Sequence, residues 1–316
     1  MIRRFCVAPM MERTDRHERV FLRCITKQAF LYTEMIHINT ILYGDRVPLL
    51  SYNNIEHPLA IQLGGSDPTK LAECATLAEE SGFKEVNLNV GCPSKKVQNG
   101  SFGAILMLNP LLVAKCIKAM SEACSIPVTI KCRIGVDDMC EENGLSNFIK
   151  IIADAGVRTF IIHARKAILK GLNPKQNREI PPLNYSRVYK LKEEFFDKEI
   201  IINGGIKTLE DCNNHLKYID GVMMGREAYN NPYILREVDY KIYGNKYKSL
   251  TREDILLNFL PYIEKQQTQG VSIQNITKHL MGLYKGTNLA KKNRLFFAEL
   301  IKDPDPVSSI RSLVSV

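Results

Sequence analysis

Glu85-Val-Asn-Leu-Asn-Val-Gly-Cys-Pro-Ser94 sets a strand-like run directly before a thiol held between glycine and proline. The first six residues are of strand length, and Gly91 and Pro93 turn the chain immediately after them. Cys92 therefore stands where a strand gives way to a loop, and Asn87 and Asn89 add amides able to hydrogen-bond a polar, planar ligand. A small buried cysteine beside an ordinary turn is the plainer reading of the same residues, because free cysteine often fills cores. The sequence on either side decides between the two.

Seven further runs share this character: Phe5 to Pro9, Leu31 to Ile36, Leu59 to Leu63, Val128 to Arg133, Thr159 to Ala164, Glu199 to Asn203 and Gly221 to Gly225. Short, continuously apolar runs mark strands covered on both faces, and the helix-length segments between them imply right-handed parallel crossovers. Asp67-Pro68 opens one such segment, with Leu71, Cys74, Ala75 and Ala78 on one face and Gly82 at its close. Asn109-Pro110 opens another, with Leu112, Val113, Cys116, Ile117 and Met120 on its apolar side. The expectation is an α/β fold, a (β/α)8 TIM barrel. A doubly wound open sheet is the competitor, and the lack of a G-x-G-x-x-G at the first helix counts against it.

After Asn230-Asn231-Pro232 the strand rhythm stops. Thr251-Arg-Glu-Asp254 reads as a helix start, and Pro261 is expected to kink or interrupt that helix. Helical stretches are expected over Ile273 to Tyr284 and Leu289 to Ile301, and irregular chain from Asp303. Residues 1–240 are thus read as the barrel and residues 241–316 as a small C-terminal all-α helical domain.

The 316 residues suffice for a barrel of about 250 residues plus such an appendage. With 45% hydrophobic and 24% charged residues, no window nears the ~18 apolar residues of a membrane helix. Met1-Ile-Arg-Arg-Phe-Cys-Val reads as a strand, not a signal peptide, so a cytoplasmic protein is expected, with no membrane partner. Nine cysteines without a C-x-x-C pair suggest reduced thiols and no metal site. The net charge of +9 permits a polyanionic partner. From Asn245 to Val316 there are 11 basic and 6 acidic side chains, so under a quarter of the length carries a net +5.

A barrel keeps its active site where the strands end. Those positions break the apolar pattern with Pro9-Met10-Met11, Gln62, Asn89 and Cys92, Lys131 and Arg133, His163 and Arg165, Asn203-Gly204-Gly205, and Gly225-Arg226. Any one of these reads equally well as a solvated loop residue, and a lone His163 as a satisfied core histidine; their joint placement is what points to a site. Glycines after strands seven and eight expose backbone N–H groups and Arg226 adds charge, which suits a phosphate. Lys131 and His163 supply cations for a ring that becomes anionic on reduction, as a flavin does, and Met10, Met11 and Gln62 suit a flat heterocycle. The long insertion Lys166 to Pro182 sets Lys166, Lys170, Lys175 and Arg178 against Glu179 alone; loops of that length in compact domains are often functional.

Ala8-Pro9-Met10, the Asn87 to Ser94 run, Lys131-Cys-Arg133, His163-Ala-Arg165, Asn203-Gly-Gly205 and Gly225-Arg226 together resemble the tRNA-dihydrouridine synthase family over nearly the whole chain. Arg13-Thr-Asp-Arg-His17, the insertion with its flanks from Arg165 to Leu183, and Thr277-Lys-His-Leu-Met-Gly-Leu-Tyr284 are most similar to its A subfamily. The resemblance implies that Pro9, Met10, Met11, Gln62, Lys131, His163, Asn203, Gly204, Gly205, Gly225 and Arg226 contact FMN and that Cys92 is catalytic. It implies NADPH as reductant and, as partner, tRNA, with a D-loop uridine around position 20 or 20a as target. Hydride would reach carbon 6 of uracil and Cys92 would protonate carbon 5. Asn89, Arg165, Lys175, Arg178, Lys291 and Arg294 would hold the nucleic acid. Where the subfamily commonly has arginine and an aromatic in the last helix, this chain has Lys291 and Asn293. A monomer is expected. Two other readings stay open: an FMN-dependent barrel acting on a small pyrimidine-like substrate, and an RNA-binding barrel without turnover.

Overall fold

A computed structural model describes residues 3–246 and 250–314; the extreme termini and Lys248, one of the C-terminal cations, lie outside them. Eight strands form one parallel sheet: β1 Phe5–Val7, β2 Leu31–His37, β3 Leu59–Gly64, β4 Glu85–Val90, β5 Val128–Arg133, β6 Thr159–His163, β7 Glu199–Asn203 and β8 Gly221–Met224. Each strand from β2 to β7 pairs with its successor in sequence and β8 returns to β1. The ring closes through a bridge between Cys6 and Phe30, where Val7 N donates to Phe30 O at 2.9 Å and Phe30 N to Phe5 O at 2.9 Å.

Alternation along the strands sorts side chains into two cores. Val86, Leu88, Val90, Ile130, Cys132, Phe160 and Ile162 face outward and pack under the helices. Cys6, Phe30, Tyr32, Ala60, Ile161, Ile201 and Met223 fill a second, inner cluster. The segment opened by Asp67-Pro68 forms the helix Pro68–Glu80, whose cap is the Asp67 carboxylate accepting from Thr69 N at 3.0 Å and Lys70 N at 3.2 Å. Asn109 caps Pro110–Ala123 in the same way through Leu112 N.

The floor of the barrel is polar. Arg3 Nε donates to Glu85 Oε2 at 2.6 Å and Arg3 Nη1 to Glu199 Oε2 at 2.8 Å. Tyr32 OH at 3.0 Å and Thr129 Oγ1 at 2.6 Å both donate to Glu85 Oε1. Buried charge survives here because every partner is hydrogen-bonded.

Beyond β8 the chain is helical. Thr251 and Asp254 form a capping box at the start of Arg252–Thr268, which continues through Pro261 without a break. Leu257, the residue whose carbonyl Pro261 cannot satisfy, is exposed to water, while Ile255, Leu256, Phe259, Leu260 and Ile263 bury the helix's other side. The stretch expected as one helix over Ile273 to Tyr284 is an α-helical turn, Ile273–Thr277, followed by a 3-10 segment, Lys278–Gly282. Ala290–Glu299 is helical as expected. The irregular tail expected from Asp303 is corrected: Pro306–Val314 is a helix that buries Ile310 and pairs Arg311 with Glu264 at 2.6 Å. Asp305-Pro306 is its start signal, a capping acid followed by proline in the first turn, and Ser308 N donates to Asp305 Oδ1 at 3.2 Å.

Candidate active site at the barrel mouth

The inward positions of β4 begin a hydrogen-bonded column that rises from the floor. Asn87 Nδ2 donates to Thr129 Oγ1 at 2.8 Å, and Gln62 Nε2 to Asn87 Oδ1 at 2.7 Å. Asn89 Nδ2 donates to Gln62 Oε1 at 2.8 Å, and Asn89 Oδ1 accepts from Gly91 N at 3.1 Å and Cys92 N at 3.0 Å. Parallel register makes this possible, since it sets Gln62 beside Asn87 and Asn89 beside Lys131. The turn carrying Cys92 thus hangs from buried amides, and both Gln62 and Asn89 spend hydrogen bonds on each other.

Cys92 is partly exposed, whereas Cys6, Cys74, Cys116, Cys132 and Cys212 are buried. Burial pushes its thiol above the ordinary value, against the pull of the Ser94 amide and of Arg133, Lys131 and Arg178. It therefore holds its proton at neutral pH, as a proton donor must. Its carbonyl accepts from Ala104 N at 2.9 Å. That approach depends on Gly103, which has φ +74°, and a Cβ there would lie 2.6 Å from Cys92 O and 2.4 Å from Val97 Cγ1. Gly103→Ala is expected to lose roughly 1–2 kcal/mol from the left-handed backbone alone. Because one of the clashes is with the Cys92 carbonyl, it should also displace the thiol; the rate of Cys92 alkylation checks this.

Cations surround the rest of the mouth. Lys131 Nζ donates to Asn203 Oδ1 at 3.0 Å, and Asn203 Nδ2 to Met223 O at 2.8 Å. Burial and Arg133 push the Lys131 ammonium down to about 8. Burial, with Arg133, Lys131, Arg165 and Arg226 nearby, holds His163 well below its usual value, so it is neutral. His163 lies against Gly204, which has φ +117°; a Cβ there would come within 2.7 Å of the imidazole. Tyr185 OH fixes the same turn by donating to Gly204 O at 2.7 Å. Pro9 and Met10 are half-buried and Met11 is 56% exposed at the end of β1. Gly225 and Arg226 follow β8, and Arg226 Nη1 pairs with Glu179 Oε1 at 2.7 Å while Nη2 donates to Arg178 O at 3.3 Å. Arg165 Nη1 donates to the carbonyls of Glu179, at 3.3 Å, and of Pro181.

The insertion is pinned from within. Asn177 is fully buried; its Nδ2 donates to Ile168 O at 2.8 Å and Leu172 O at 3.3 Å, and its Oδ1 accepts from Ile168 N at 2.8 Å. Lys175 and Arg178 are exposed beside it. Lys291 and Arg294 do not join this cluster: they are exposed on Ala290–Glu299, where Arg294 Nε donates to Ala290 O at 3.3 Å. Asn293 is 3% exposed, so that position offers no stacking surface to a base. Sequence reasoning placed Arg133 at the mouth without assigning it a task, and gave no role to Asn177 or Glu179. Lys131 and Arg133 alternate on one strand, a spacing that places both on the inner face, and that was the available signal.

Few anions oppose these cations, so the mouth suits an anionic ligand, and Gly205, exposed with φ +72°, presents bare backbone beside it. The dihydrouridine synthase (Dus) family profile matches residues 6–310. The tRNA-dihydrouridine(20/20a) synthase of Pseudomonas aeruginosa is 51% identical over 96% of this chain and 92% of its own length. Its counterpart in Escherichia coli K12 is also 51% identical, over 94% of this chain and 86% of its own. Among solved structures, morphinone reductase matches with a TM-score of 0.55 and 11% identity over 80% of this chain and 88% of its own, a likeness of fold. With the profile spanning almost all of an eight-stranded barrel whose mouth carries the Gly-Cys-Pro turn, the chain belongs to the dihydrouridine synthase family.

Proposed function

We propose that this chain reduces a D-loop uridine of tRNA, at position 20 or 20a as in the relatives' name, to dihydrouridine, with FMN as its flavin and NADPH as reductant. The observation that carries the reading is a partly exposed thiol on a turn fixed by Asn89 at the mouth of a cation-rich barrel, where burial favours its protonated form. FMN, when bound and reduced, supplies the hydride to carbon 6 of the uracil. Pro9, Met10, Met11, Gln62, Lys131, His163, Asn203, Gly204, Gly205, Gly225 and Arg226 would hold the FMN, with Lys131 as a cation for the reduced ring and Arg226 as one for the phosphate. Cys92 gives its proton to carbon 5. Asn89 both steadies the turn and offers its amide to the base.

The target base has to leave its stack to reach the thiol, which costs a few kcal/mol, roughly, and contacts to the rest of the RNA must offset that cost. Arg165, Lys175 and Arg178 supply them at the mouth. Lys291 and Arg294 supply them from the C-terminal helices, which we take, with residues 241–316 as a whole, as the tRNA-binding domain. The protein acts as a cytoplasmic monomer in this reading. Among the described residues no helix is long and apolar enough to cross a membrane, and no His, Cys, Asp and Glu group gathers as a metal would need.

Mixing the reduced enzyme with unmodified tRNA should reoxidise the flavin far faster than mixing it with free uridine, and mapping should find dihydrouridine in the D-loop. Equal reoxidation by free uridine would favour a small pyrimidine substrate. Lys175→Ala with Arg178→Ala is expected to weaken tRNA binding and lower the salt slope by up to about 2. An unaltered slope would mean that these charges are merely solvated.

A further inference from the structure

Arg133 is 3% exposed, and its guanidinium ends on three backbone carbonyls. Nε donates to Gly91 O at 3.1 Å, and Nη1 donates to Lys166 O at 3.0 Å and Asn177 O at 2.9 Å. No carboxylate is within ion-pair reach of it among the described residues, and the one group whose negative charge would favour its own is Cys92. A buried cation without an anion is costly, so its retention asks for a negative charge that appears nearby at some point in the working cycle.

The reaction makes such a charge. When Cys92 gives its proton to carbon 5 of the uracil, the S–H bond breaks, the new C–H bond takes the proton, and the sulfur keeps the electron pair as a thiolate. Solvent water later returns a proton to it. Gly91, whose carbonyl Arg133 holds, is the residue before that sulfur. The other two carbonyls belong to the insertion: Lys166 opens it, and Asn177 is its buried plug. Gln98 makes a parallel link, with Nε2 donating to Pro93 O at 2.8 Å and Leu169 O at 3.2 Å. The turn bearing the thiol and the segment bearing Lys175 and Arg178 are therefore one mechanical body, with Arg133 at its joint.

We propose that Arg133 is a positioning residue that clips the Cys92 turn to the basic insertion and stabilises the thiolate left when Cys92 gives up its proton. The inference rests on Cys92 as the proton donor. Around that sulfur the other charged groups are Lys131, on β5, and Arg178, on the insertion, with the Ser94 amide beside it; they set the background against which loss of Arg133 is read.

The test uses FMN-loaded full-length enzyme carrying Arg133→Met or Arg133→Lys. Alkylation of Cys92 by iodoacetamide, followed peptide by peptide in a mass spectrometer, gives its pH profile apart from the exposed Cys140. Arg133→Met is expected to move the Cys92 profile to higher pH by half a unit or more and to slow single-turnover dihydrouridine formation at least tenfold. Arg133→Lys should recover the profile, because charge returns, but not the rate, because one ammonium cannot span three carbonyls. If Arg133→Met does not fold, the split between profile and rate in Arg133→Lys still decides the matter. An unmoved profile in Arg133→Met, or an unchanged rate in either variant, overturns the proposal. Full turnover by Cys92→Ala would instead overturn the proton-donor reading beneath it.

Discussion

Cys92→Ala is expected to slow dihydrouridine formation by about 10²–10⁴-fold while the flavin is still reduced at the original rate. The two half-reactions separate because they use different parts of the mouth. In the proposed assignment, reduction of the flavin relies on the cofactor-binding residues, and Cys92 is not one of them. Completion of the uridine step needs a proton at carbon 5, and a methyl group has none to give. The substitution removes one sulfur from a turn whose shape is set by Asn89, Gly103 and Arg133, so the backbone should keep its place. Single-turnover mixing with unmodified tRNA reads the effect directly; undiminished turnover would remove Cys92 from the mechanism.

Glu85→Ala should lower stability by about 3–5 kcal/mol, the range for breaking a buried ion pair by deleting one partner. Glu85 is fully buried and Arg3 is 6% exposed, so the guanidinium cannot recover its loss from water. Three donors converge on this carboxylate, from Arg3, Tyr32 and Thr129, and only Arg3 keeps a second acid, Glu199. The damage should travel upward as well, because Thr129 is also the acceptor for Asn87 and so the lowest rung of the column that ends at Cys92. Urea denaturation of the flavin-loaded protein measures the first effect; a loss below about 1 kcal/mol would show that water or a rearranged Arg3 replaces the carboxylate.

All eight strands were legible in the sequence because a parallel barrel needs short runs apolar on both faces, and the observed limits differ from the reading by two residues at most. The Gly-Cys-Pro turn was legible for a similar reason, as three residue types with strong backbone or chemical character stand together. Partnerships across strands were not. Gln62 and Asn89 read as independent polar groups at two strand ends, yet their amides bond each other, because register, which no linear spacing reveals, sets β3 against β4. Arg226 read as a free phosphate ligand, and its ion pair with Glu179 depends on how the insertion folds back. The final helix was missed because its one strong signal, Asp305-Pro306, precedes a segment too short for clear periodicity.

Asn177 turns what would otherwise be a floppy loop into a fixed shelf, since one buried amide ties together both limbs of the insertion. A polyanion landing on Lys175 and Arg178, as proposed, would meet charges already standing in place, and little chain disorder would have to be surrendered on contact. More of the attraction would then be left over to prise a single nucleobase from its neighbours.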